Sequence, residues 1–274
     1  MKPFLQKLEH IQRKNNSLLC LSLDTDVMKI PEFFFKYEDP QYEYNRRIID
    51  ATKDLVCAYT VNVAYYESVG EHCWYTVHHT LARIPEEIIT IGDGKRGETG
   101  YTGDKQAHSL CNDWEFTGTT VNPYMGKDAI EPFIKRNDQC AFILAVTANA
   151  SSKDFQYLKI QGKPLYEHVV AQAKKWNTKK NIGIVVGATK TKELKLIRKM
   201  AGELPVFIPG INTKSDDVES LVRYGCNANG ELAILNCTIK NLSASSEEEL
   251  MEKARKSALS YRTLINTFRD TYFK

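Results

Sequence analysis

Several things are missing from this 274-residue chain, and each absence excludes a class of protein. No apolar run approaches the roughly 18 residues needed to cross a membrane. The N-terminal stretch "MKPFLQKLEHIQRKNN" has no apolar signal core, so a cytoplasmic location is expected. Charge of one sign is not in excess. Against 37 basic residues stand 34 acidic ones, a net of +3, which gives no footprint for nucleic acid. The lysine pairs at 174–175 and 179–180 read as a solvated helix end and a turn. No C-x-x-C spacing occurs among the seven cysteines at 20, 57, 73, 111, 140, 226 and 237. That odd, scattered set argues against a disulfide framework or a zinc site and suits buried thiols in a reducing compartment. The six histidines show no metal-ligand spacing with acids or thiols, so no metal is expected. Linkers, low-complexity tracts and breaks in composition are also absent, which predicts one domain over 1–274.

What is present is a repeated alternation. Eight apolar runs of strand length occur at 18–24, 58–66, 88–93, 115–124, 141–149, 182–189, 205–211 and 231–238. Stretches with helical spacing lie between them, among them 43–57, 70–82, 165–177, 191–202 and 246–270. In 191–202, Leu194, Ile197 and Met200 recur one turn apart before a glycine. Strands apolar almost throughout imply a parallel sheet covered by helices, and eight strand–helix units are the number that closes an α/β (β/α)₈ TIM barrel. Residues 1–16 read as an extra leading helix. An open doubly wound sheet is the alternative.

Barrels of this kind carry their chemistry where strands end, on the C-terminal face. One such end is "IGDGKRGETG" at 91–100, where an apolar run stops in a crowd of charge. Asp93 and Lys95 are two apart, so they point to the same side of a strand. In a closed pocket the carboxylate orients the lysine, which can then deliver a proton. A surface ion pair worth under about 1 kcal/mol reads equally well from the pattern alone. Arg96 points the other way, toward a structural pairing or a second subunit. Trp74, Trp114 and Trp176 read as packing residues, and His78 and His79 as surface positions.

"DGKRGETG" resembles the D-x-K-R-G-D-I-G signature of orotidine 5′-monophosphate decarboxylases of the longer bacterial subgroup. "LCLSLDTD" at 19–26, "EYNRRIIDAT" at 43–52, "AYTVNVAYYESVG" at 58–70, "VNPYMGKDAIEPF" at 121–133, "DFQ" at 154–156, "VVGATK" at 185–190 and "IPGI" at 208–211 match it in register. The resemblance covers nearly the whole chain and independently implies the barrel. It implies a homodimer with a shared active site, a nucleotide or sugar-phosphate ligand, and decarboxylation with no cofactor. By position, Asp93 and Lys95 would be the catalytic pair, with Glu98 reaching the neighbouring subunit's pocket. Asp24 would read the ribose hydroxyls. Thr60, Asn62, Thr147, Ala148, Pro209, Gly210, Lys214 and Lys240 would line the substrate site.

Several of those positions depart from the family pattern. Thr60 stands where a lysine is expected, so Asp93, Lys95 and Glu98 sum to −1 where the family network is neutral. Glu98 replaces an aspartate, Ala148 a serine that bonds the pyrimidine, Lys214 a glutamine, and Ile239 a phosphate-binding arginine. An isoleucine cannot replace a bidentate guanidinium. The expectation is therefore a decarboxylase that is weakened or altered. The alternative is a relative that binds a nucleotide or sugar phosphate without decarboxylating it.

Overall fold

The computed structural model describes residues 2–213, 216–239 and 243–274. Its frame is eight parallel strands: β1 (Leu19–Ser22), β2 (Ala58–Asn62), β3 (Ile89–Arg96), β4 (Gly118–Val121), β5 (Cys140–Val146), β6 (Ile182–Val186), β7 (Val206–Ile211) and β8 (Ala233–Cys237). They close in the order β1-β8-β7-β6-β5-β4-β3-β2, and every neighbouring pair is parallel. The expected α/β barrel is the observed one.

Nine helices among the described residues surround it: α1 (Phe4–Lys14), α2 (Pro40–Thr52), α3 (Val63–Glu67), α4 (Cys73–Arg83), α5 (Gly100–His108), α6 (Leu165–Trp176), α7 (Thr191–Ala201), α8 (Val218–Gly225) and α9 (Glu247–Phe273). Their starts are written in the sequence. Asp39 accepts the Tyr42 N–H at 2.9 Å ahead of Pro40, and Asp217 accepts that of Ser220 at 3.0 Å. Ser246 caps α9 through the Glu249 N–H at 3.2 Å, while Glu249 reaches back to Ser245. In α7, Leu194 and Ile197 are fully buried and Met200 packs partly against the same core.

The leading helix closes the barrel floor. Phe4, Leu8 and Ile11 are fully buried on one face of α1. Gln12 beside them donates to the Ala233 carbonyl at 2.7 Å and accepts from the Leu232 N–H at 3.0 Å. Phe4 meets Phe142 edge to face at 5.8 Å, inside the barrel. Phe142 fits because its neighbours lack side chains. A Cβ on Gly118 or Gly183 would lie 2.8 or 2.5 Å from its ring.

Three features differ from the sequence reading. The run 58–66 is a strand only to Asn62. That side chain accepts the Ala64 N–H at 3.2 Å and starts α3, so residues 63–66 are helical despite their β-rich composition. The strand expected over 115–124 shortens to Gly118–Val121, and 3₁₀ turns at Lys127–Ala129 and Glu131–Ile134 follow it in place of an α-helix. Pro132 lies in the second of these turns. A short antiparallel pair, Lys159–Ile160 with Lys163–Pro164, precedes α6. All seven cysteines are buried and free, as core residues. Burial pushes the Cys57, Cys111, Cys226 and Cys237 thiols up to about 12, which leaves no reactive thiolate there.

Candidate active site

Strand alternation decides which side chains reach the barrel mouth. Tyr59 points outward, its hydroxyl 2.7 Å from that of Thr52 on α2. Thr60 and Asn62 therefore point inward. In register with them lie Ser22 beside Thr60, Ile91 beside Thr60, and Asp93 beside Asn62. One layer thus holds Ser22, Thr60 and Ile91. The layer above, at the C-terminal rim, holds Asn62 and Asp93, with Asp24 brought in by the Asn62 N–H at 2.9 Å.

Asp93 and Lys95 meet. The Lys95 ammonium donates to both Asp93 oxygens at 2.8 Å, with Asp93 largely covered and Lys95 half exposed. Asp24 feels the same neighbourhood. Burial pushes its carboxyl up to about 6, the Asn62 N–H pulls it back, Asp93 raises it again, and Ser22 and Lys95 lower it. Two carboxylates and one ammonium therefore share the rim, the Asp24–Asp93 repulsion only partly offset.

Thr60 lies just below. It is 2% exposed, and its hydroxyl has no hydrogen-bond partner among the described residues. A buried hydroxyl left unpaired costs roughly 1–3 kcal/mol, so the position is not tuned for stability alone.

The other expected residues are placed as follows. Glu98 turns its carboxylate to the Thr99 N–H at 2.8 Å and, among the described hydrogen bonds, does not touch the Asp93–Lys95 pair. Gln106 accepts from the Gly97 and Glu98 N–H groups at 3.2 and 3.3 Å and shapes that loop. A Cβ on Gly97 would sit 2.8 Å from the Asn122 carbonyl, so the loop needs glycine there. Thr147 is clamped by Gln156, which accepts its N–H and donates to its hydroxyl, both at 2.8 Å. Ala148 is exposed beside Gly187. Pro209 and Gly210 close β7, Gly210 with a φ of +79°. Ile239 packs against the hydrophobic core. Lys214 and Lys240 lie outside the described residues. Arg96 pairs with Glu67. Trp114 is buried against Trp74 at 4.2 Å, although Trp74 is half exposed.

Sequence reasoning missed Thr120, which hydrogen-bonds Asp93, and Gln106. In "TGTTV" a threonine reads as a strand former, which hid its hydroxyl chemistry. A cavity of about 1160 Å³ opens at the opposite, N-terminal end of the barrel, lined among others by Lys7, His10, His78, Trp114 and Gln139. The Arg136–Asp138 ion pair lies there, away from the rim that carries Asp93 and Lys95.

The chain is similar to known proteins along nearly its whole length. Residues 17–235 match the model of the "Orotidine 5′-phosphate decarboxylase / HUMPS family". An orotidine 5′-phosphate decarboxylase of Dehalococcoides mccartyi is 41% identical over 273 residues, covering 98% of this chain and 99% of the relative. One of Herpetosiphon aurantiacus is 37% identical over 260 residues, covering 94% and 96%. Among solved structures, the OMP decarboxylase of Leishmania donovani superposes with a TM-score of 0.85 at 29% identity, covering 98% of this chain and 99% of that one.

Proposed function

Since the chain belongs to the orotidine 5′-phosphate decarboxylase / HUMPS family, we propose that it is a lyase of pyrimidine nucleotide synthesis that converts orotidine 5′-monophosphate to uridine 5′-monophosphate and carbon dioxide. The observation that carries this reading is the Lys95 ammonium held 2.8 Å from both oxygens of Asp93 at the rim. Asp93 lies against the substrate carboxylate and fixes the ammonium. The bond from C6 to the carboxylate breaks, its electron pair stays on C6, and carbon dioxide leaves. Lys95 gives a proton to C6 and is left as an amine, which water protonates again. Asp24 accepts hydrogen bonds from the ribose hydroxyls.

The remaining features of the reading rest on supporting observations. One domain, residues 1–274, carries the activity. The buried free thiols suit a reducing cytoplasm. Among the described residues no helix is long and apolar enough to cross a membrane. Tyr75 on α4, Tyr101 on α5 and Tyr124 in the turn after β4 are exposed. They support a homodimer in which Glu98 reaches the partner's pocket. Thr60 supports a lowered turnover, because an uncharged hydroxyl leaves the two carboxylates with a single ammonium. Ile239 supports weaker phosphate binding for the same kind of reason.

The test is direct. Purified protein is mixed with orotidine 5′-monophosphate and the orotate absorbance is followed. Steady loss that scales with enzyme concentration is expected. Decay no faster than in buffer refutes the proposal; heat on titrating uridine 5′-monophosphate into such an inactive protein favours the non-decarboxylating relative.

A further inference from the structure

The ladder between β3 and β4 breaks at the active site. Ile91 and Gly92 pair with Gly118 and Thr119, and the next pairing is Arg96 with Val121. β3 advances four residues there while β4 advances two, so the segment from Asp93 to Lys95 bulges. Bulged backbone loses its strand partner, and a covered N–H must find another.

Thr120 sits opposite the break and is 1% exposed. Its hydroxyl accepts the Lys95 N–H at 3.0 Å and donates to Asp93 Oδ1 at 2.7 Å. One oxygen therefore ties the backbone of the proton donor to the carboxylate that holds its ammonium. Lys95 needs the tie, because its φ of +47° is left-handed, a conformation that a residue with a Cβ resists unless its surroundings hold it.

We propose that Thr120 is a positioning residue for the Asp93–Lys95 pair. Its hydroxyl locks the bulge so that the Lys95 side chain leaves the strand toward Asp93 rather than toward solvent. The kinetic part of the proposal rests on the decarboxylase reading; the structural part does not. The neighbouring Thr119 supplies the control. It is fully buried in the same strand, and its hydroxyl has no hydrogen-bond partner among the described residues, so it makes no bond to the Asp93–Lys95 pair.

The experiment compares the intact protein with Thr120→Val, Thr120→Ser and Thr119→Val. It reads kcat and KM for orotidine 5′-monophosphate, and hydrogen exchange of the Lys95 amide by nuclear magnetic resonance. In Thr120→Val, kcat is expected to fall about 10- to 100-fold, the scale of a small misplacement of reacting groups, with KM nearly unchanged. The Lys95 amide should exchange about tenfold faster, as expected when one hydrogen bond is lost. Thr120→Ser should restore both values, and Thr119→Val should move neither. An unchanged kcat in Thr120→Val, an equal fall in Thr119→Val, or unchanged Lys95 exchange overturns the proposal. Should Thr120→Val fail to fold by circular dichroism, Thr120→Ala replaces it under the same criteria. A wild-type protein without turnover contradicts the decarboxylase reading alone, and Lys95 exchange then decides the tie by itself.

Discussion

Thr60→Lys puts a second ammonium where the rim has one too few. Inward residues two apart on a strand are separated by roughly 6.6 Å, about the length of an extended lysine side chain. From position 60 the new ammonium therefore rises one layer, to the level of Asn62 and Asp93, beside Asp24. Asp24, Asp93, Lys95 and the introduced lysine would then sum to zero. An ion pair at about 4 Å near a protein surface is worth on the order of 4 kcal/mol before desolvation, and desolvation takes back much of that. A net gain of about 1.4 to 3 kcal/mol corresponds to roughly 10- to 100-fold in kcat. The same charge should draw the Asp24 carboxyl down from about 6 by roughly 1–3 pH units. The assay is kcat and kcat/KM across pH in wild type, Thr60→Lys and Thr60→Met, the last adding volume without charge. Faster turnover with an acid limb moved to lower pH is expected for lysine only. No gain with fold and nucleotide binding intact, or an equal gain with methionine, refutes the charge argument.

Lys95→Ala removes the proton donor and should lower kcat by about 10²- to 10⁴-fold while binding of uridine 5′-monophosphate survives, measured by spectrophotometry and calorimetry. Asp24 accepts from ribose hydroxyls most strongly when ionised, so affinity for uridine 5′-monophosphate should rise as pH rises through about 6 and fall below it. Asp24→Asn should retain only the titration of the phosphate itself; an unchanged profile excludes Asp24 as the group. The Tyr37 hydroxyl, with Arg47 and Lys36, draws the Glu247 carboxyl down to about 2. Because its folded value is depressed, its stabilisation is present above about 4.5 and is lost as pH falls toward 2. The difference in thermal midpoint between wild type and Glu247→Gln should therefore shrink over that window; a constant difference contradicts the pairing.

Much of this was legible in the residues, for reasons that can be named. Buried parallel strands are mostly apolar on both faces, so most of the eight left a readable run; β4, Gly-Thr-Thr-Val, left the least exact one. Asp93 and Lys95 share a strand end, and that spacing was enough to predict their meeting. The spacing did not reveal how they meet. A regular strand would align them by alternation, whereas here a bulge and a left-handed Lys95 do it, with Thr120 as the tie. Residues 63–66 were read as strand because Val63, Tyr65 and Tyr66 favour strands, and the capping hydrogen bond of Asn62 outweighed their preference. Tertiary contacts of this kind leave no periodic trace. Nor does a residue such as Thr60, whose meaning is the partner it lacks.

A crystal structure with uridine 5′-monophosphate bound tests the central claim most directly. Lys95 Nζ within about 3.2 Å of C6, still in contact with Asp93, is the expected result. A uracil ring bound elsewhere, or a C6 facing Thr60 with Lys95 turned to solvent, would contradict it.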